Sequence, residues 1–164
     1  MDGVRLTLAL TCAAVLTGCG PSLGEYEVTG MELVEDLPAT ISHSREPQPY
    51  LQVELASDFD LVANTSADIY AFSSLCPYGD EAQEFVFGPM VASEPPIELY
   101  DAEPAAPRGP DGKARYVVYM PFADLTGSTQ ICLKITQTGY FITPSESDVI
   151  QIDVNQFAAG LSDR

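Results

Sequence analysis

The 164-residue chain carries 24 acidic against 7 basic side chains, a net charge of −17, and 46% of its residues are hydrophobic. That apolar content supports a packed core rather than a disordered chain. The charge tells against nucleic acid, whose phosphates are held mainly by Lys and Arg, and against electrostatic docking on anionic lipid.

The chain opens on a weakly charged start (Asp2, Arg5) and an apolar run from Leu6 to Leu16. That run has the length of a signal-peptide core and is too short to span a bilayer. It closes on Leu16-Thr17-Gly18-Cys19, an aliphatic residue, two small residues and a cysteine. This order resembles the lipobox of bacterial lipoproteins, over the first twenty or so residues. The resemblance implies a signal peptide at 1–18 with helical character, cleavage before Cys19, and lipidation of Cys19 by diacylglycerol and a fatty acyl chain such as palmitate. Gly20 follows in place of the aspartate that retains such proteins in the inner membrane of enteric bacteria, which by the same resemblance implies outer-membrane sorting. Residues 19–24 are then expected as a lipidated tether, 25–157 as the folded domain and 158–164 as a tail.

Four cysteines fit this scheme. Cys12 leaves with the signal peptide and Cys19 is lipidated. Cys76 and Cys132 remain, in a compartment where disulfides persist, and are expected to pair.

Along the rest of the chain, apolar and polar residues alternate with the period of two that marks half-buried strands. Glu25 to Val28 begins such a strand; Gly30 breaks its phase and Met31 and Leu33 resume it, as across a bulge, although a short helix over 31–37 is the alternative. Residues 39–49 read as a loop. Leu51, Val53 and Leu55 define a strand with one face buried or at an edge, and Phe59, Leu61 and Ala63 continue its period. Residues 69–76 form a dense apolar run expected as a central strand covered on both faces. Phe85-Val86-Phe87 is a short strand expected to stop at Gly88-Pro89. Residues 93–113 hold five prolines and read as a long decorated loop kept from pairing. After the turn at Pro110-Asp111-Gly112-Lys113, residues 115–120 are rich in β-branched and aromatic side chains, as strands are. Ile131, Leu133 and Ile135 share one face opposite Cys132, Lys134 and Thr136, and Ile150, Ile152 and Val154 point inward from the last strand.

Seven to nine short strands with turn residues between them predict an all-β sandwich. The run from Leu125 to Ile135 resembles the corner and penultimate strand of fibronectin type III and related immunoglobulin-like domains. Leu125 and Ile131 stand where those families place a leucine and a corner tyrosine, and Gly139, Ser147 and Val149 echo the hairpin that follows. The resemblance covers about 30 residues and implies an immunoglobulin-like β-sandwich; it implies no activity, because that fold serves many functions.

Few residues offer chemistry. His43 is the only histidine and lies in the loop at 39–49, an unpromising base for a Ser-His or Cys-His pair. Asp58 and Asp60, two apart on an expected strand face, are weak calcium candidates, with Asp68, Asp80 and Glu81 near loop ends; the spaced ligand loop of a dedicated calcium site is missing. Tyr100, Tyr116, Tyr119 and Tyr140 suit either a sheet or a binding surface. The sequence therefore points to a non-enzymatic module without metal or cofactor, anchored to a membrane by lipid and facing the periplasm or exterior. Its expected partner is a protein or envelope component met through residues 93–113, and deleting 94–110 is expected to spare the fold. A structural accessory lipoprotein of an envelope assembly is the alternative, and a hydrolase using paired carboxylates a more distant one. Replacing the proposed acceptor, Cys19→Ser, is expected to abolish radiolabelled-palmitate incorporation and release the protein from membranes on fractionation; unchanged membrane association would refute the anchor.

Overall fold

The computed structural model describes residues 21–41, 48–65, 68–79, 83–102, 104–125, 129–139 and 143–155. Residues 1–20 with Cys12 and Cys19, and also His43, Asp80, Glu81, Tyr140 and residues 158–164, lie outside these residues.

Eight strands account for nearly half of the described residues: β1 (Glu27–Val34), β2 (Tyr50–Ser57), β3 (Asp68–Leu75), β4 (Glu84–Val91), β5 (Ala114–Pro121), β6 (Gln130–Thr138), β7 (Ser145–Glu146) and β8 (Ile150–Asp153). Every pairing is antiparallel. The hydrogen-bonded order is β1-β2-β5-β4-β3-β6-β7, with β8 also on β6. This path folds over on itself at β4. The first half of β4 pairs with β3 (Phe85 with Phe72), and the second half pairs with β5 (Met90 with Val117). One layer is therefore β1-β2-β5 with the end of β4. The other is the start of β4 with β3, β6, β7 and β8. That is the strand order of an immunoglobulin-like β-sandwich.

The core between the layers is drawn from alternate residues of each strand, as the pleat requires. Leu51, Val53 and Leu55 of β2 and Tyr116, Val118 and Met120 of β5 meet Ile131, Leu133 and Ile135 of β6 and Ile150 and Ile152 of β8. The inward sets read from the sequence for β6 and β8 are thus the observed ones. Leu23, within the stretch expected as a tether, is also in this core, and its N–H donates to the Glu146 carbonyl at 3.0 Å. A second cluster lies on the outer face of the β1-β2-β5 layer, where Leu37 covers Tyr50, Met90, Val117 and Tyr119. Burial pushes the Tyr119 phenol up to about 12.

The bulge expected at Gly30 is observed: the first strand runs to Val34, with its register shift between Val28 and Gly30, and the alternative helix over 31–37 is not formed. Three other local expectations are corrected. The alternation of Phe59, Leu61 and Ala63 belongs to no strand: Leu61–Asn64 is a helical turn, α1, because the Asp60 side chain accepts the Ala63 N–H and caps it. The expected strand at 69–76 is central but covered on one face only. Ala71 and Ser73 are buried inside, whereas Tyr70 and Phe72 lie partly exposed outside. Gly88-Pro89 does not stop β4: the strand changes layers between Val86, paired with Ala71, and Phe87, paired with Tyr119, and Gly88-Pro89 forms the bulge that follows in the β4–β5 ladder.

The Cys76–Cys132 disulfide is present, with Cα atoms 5.1 Å apart. It ties the residue after β3 to the neighbouring strand β6, on the side of β6 away from Leu133. It therefore staples one sheet instead of bridging two. Because it closes a loop of 56 residues, removing it (Cys76→Ser with Cys132→Ser) is expected to cost roughly 2–5 kcal/mol in denaturant unfolding under oxidising conditions. An unchanged midpoint would contradict this.

Candidate functional site

The departure of β4 from β3 opens a cleft. Beyond Ala71, which pairs with Val86, the ladder between β3 and β4 ends. Residues 68–70 of β3 remain paired with β6, and no described strand lies along their other edge. Phe87 already pairs with Tyr119 of β5, and the two residues after it form a bulge in that ladder. Gly88 has φ of +103°, and a Cβ there would stand 2.8 Å from the Val117 carbonyl oxygen, so only glycine fits. Pro89 has no N–H to continue a ladder. The resulting cleft holds about 580 Å³, within the range of about 300–1,000 Å³ typical of ligand sites.

One wall is aromatic. Tyr70 and Phe72 of β3 and Phe85 and Phe87 of β4 face outward together. Phe85 stands 6.2 Å from Tyr70, 6.1 Å from Phe72 and 5.9 Å from Phe87 by ring centres, the last two edge to face. Phe87 continues the row inward to Tyr50 at 5.8 Å. Such tilted and edge contacts are favourable between ring quadrupoles, so the row holds its shape although Phe85 is 49% exposed. The four rings escaped sequence analysis as a group because they belong to two strands whose pairing was not visible. The available signal was the inverted pattern of β3, with small Ala71 and Ser73 inward and large rings outward.

The opposite wall comes from Glu98, Leu99 and Tyr100, within the segment expected as a loop. Ile97 forms a bridge with Val91, and a 3-10 turn at Leu99–Asp101 follows it. Ala102 and Ala106 are buried in the core. The Ala106 N–H donates to Asp60 Oδ1 at 3.3 Å, and Arg108 lies 3.7 Å from Asp60 Oδ2. Deleting 94–110 would thus strip a core wall and strand the buried Asp60, contrary to the expectation that the fold would be spared. Tyr100 projects from the turn, 78% exposed. Partial burial raises the Glu98 carboxyl, with the neighbouring Asp101 adding to it. The Tyr100 phenol is raised chiefly by the charge of Glu98.

The cleft is acidic as well as aromatic. Asp68 and Glu98 line it, and among the described residues no Lys or Arg does. The described basic groups are engaged elsewhere: besides Arg108 with Asp60, Lys113 contacts Glu27 at 2.8 Å, Arg115 contacts Asp111 at 2.8 Å and Lys134 contacts Glu146 at 2.6 Å.

The other sequence candidates lie apart from the cleft. Asp60 is buried as the cap of α1 and the acceptor for Ala106, whereas Asp58 is exposed. Among the described residues no three or more His, Cys, Asp or Glu side chains converge as a metal site would require. Tyr116 is buried, and its hydroxyl accepts the Leu61 N–H at 2.7 Å. Comparison with protein-family models, curated proteins and solved structures finds no match to this chain.

The geometry leaves Gly88 no room for a side chain. Gly88→Ala is expected to destabilise by about 1–3 kcal/mol through strain at positive φ and the carbonyl clash, lowering the midpoint in denaturant unfolding; a wild-type midpoint would contradict the account.

Proposed function

We propose that this protein is a non-enzymatic binding module of a bacterial cell envelope, held to the membrane by lipid on Cys19 and facing the periplasm or exterior. Its partner is a protein or envelope component captured in the cleft between the β3–β4 aromatic row and residues 98–101. The observation that carries this reading is the aromatic row itself. Folding sends four large rings outward where small residues would have been tolerated, and contiguous exposed apolar surface of this kind marks interaction sites. The wall across from it is tied to the sandwich where Ile97 bridges Val91 and Ala102 is buried, so the cleft is preformed, which reduces the ordering cost of binding.

The test is photocrosslinking in intact cells with p-benzoylphenylalanine in place of Tyr100, compared with the same residue in place of Gln151, an exposed position on β8. A discrete crosslinked species is expected from position 100 and not from 151. Equal or absent crosslinking at both positions would overturn the reading.

A further inference from the structure

The cleft has three features that together specify the chemistry of its occupant. The first is an uncovered strand edge. Residues 68–70 are fixed in extended conformation by β6, yet no described strand pairs with their other side. An extended peptide can complete such an edge through its main chain. The second is the aromatic wall, which offers apolar contact to side chains on one face of an added strand. The third is charge. Asp68 and Glu98 line the cleft with no basic counterpart among the described residues, and Tyr100 stands beside Glu98 with its ring open to solvent.

We propose that the occupant is an extended peptide segment bearing an arginine or lysine, added as a strand to the edge of β3 at residues 68–70. Its cation lies between the Glu98 carboxylate and the Tyr100 ring, and its flanking apolar side chains pack on Phe85 and Phe87. This deepens the proposed function and rests on it. A second copy of the chain is a poor occupant, because it would bring a net charge of −17 against another −17, and like charges across an interface oppose association. An anionic ligand meets the same objection at the cleft itself.

Glu98 gives the interaction a pH dependence. Its carboxyl, Asp101 beside it and Asp68 across the cleft are the titratable acids facing the site, with the Tyr100 phenol neutral throughout the acidic range. A bound cation favours the ionised carboxylate, so affinity is highest when Glu98 is ionised. It falls as the pH drops through the raised Glu98 value, above the point at which an ordinary glutamate would protonate.

The experiment is selection of random heptapeptides on the full chain in detergent, followed by binding measurements on the synthesised peptides. The expected winners carry Arg or Lys flanked by β-branched or aromatic residues, and they shift the Ile69 and Tyr70 amide resonances. Glu98→Gln and Tyr100→Ala are each expected to weaken binding about five- to tenfold, the scale of a partly desolvated charge pair or cation–π contact. N-methylation of alternate peptide amides should abolish binding, because it removes main-chain donors. Winners without basic residues, tolerance of N-methylation at every position, or unchanged affinity for both variants would overturn the proposal. If crosslinking from position 100 succeeds while the peptides show no basic preference, the binding function stands and the cationic strand falls. If both fail, both readings fall.

Discussion

One strand cannot lie in two sheets unless its backbone turns, and the rest of this molecule follows from how β4 does so. Val86 pairs with β3 and Phe87 already with β5, and just beyond them a bulge at Gly88-Pro89 is packed so closely that any side chain on Gly88 would strike the Val117 carbonyl. Because β4 then pairs with β5, the two layers are joined through a continuous hydrogen-bonded path. Because β4 no longer pairs with the first residues of β3, an edge is exposed between them. The same departure that closes the sandwich opens its cleft.

The chain just beyond the far wall of that cleft depends on a different interaction. Asp60 accepts backbone N–H groups from Ala63 and Ala106, and Arg108 lies against its other oxygen. The α1 turn, residues 104–108 and the start of the sandwich thus converge on one buried carboxylate. The Tyr116 hydroxyl accepts the Leu61 N–H beside it, and burial raises the phenol. A buried charge satisfied in this way is costly to disturb, since its loss leaves several polar groups without partners. The carboxylate considered at first as a calcium ligand instead holds Ala106 and Arg108 in place.

The sequence disclosed the fold better than the site. Strict alternation in β2, β6 and β8 reflects layers with one buried face, and period two survives wherever solvent and core lie on opposite sides. It misled at Phe59, Leu61 and Ala63, where spacing alone could not reveal that Asp60 caps a helical turn. It misled again at Gly88-Pro89, since the pair that ends most strands here forms a bulge within one. The dense run in β3 suggested burial on both faces because composition does not distinguish an aromatic facing another layer from one facing outward. The two cysteines were legible as a pair, but their placement within one sheet depended on which strands are neighbours. The cleft was illegible for the same reason: its walls come from β3, β4 and residues 98–101, brought together only by the topology.

Leu23 has a consequence for geometry at the membrane. It is seated in the core, and only three residues lie between it and the proposed lipid attachment at Cys19, a reach of at most about 14 Å even when fully extended. Lys113 contacts Glu27 at the start of β1, and Ala114 pairs with Ser57 at the end of β2. The base of residues 93–113 therefore lies at the same end of the sandwich as that short leash. A domain tethered so closely would lie against the bilayer surface with little freedom to swing. Its cleft would sweep a thin layer above the headgroups, where the most accessible partners are segments emerging beside it from the same membrane.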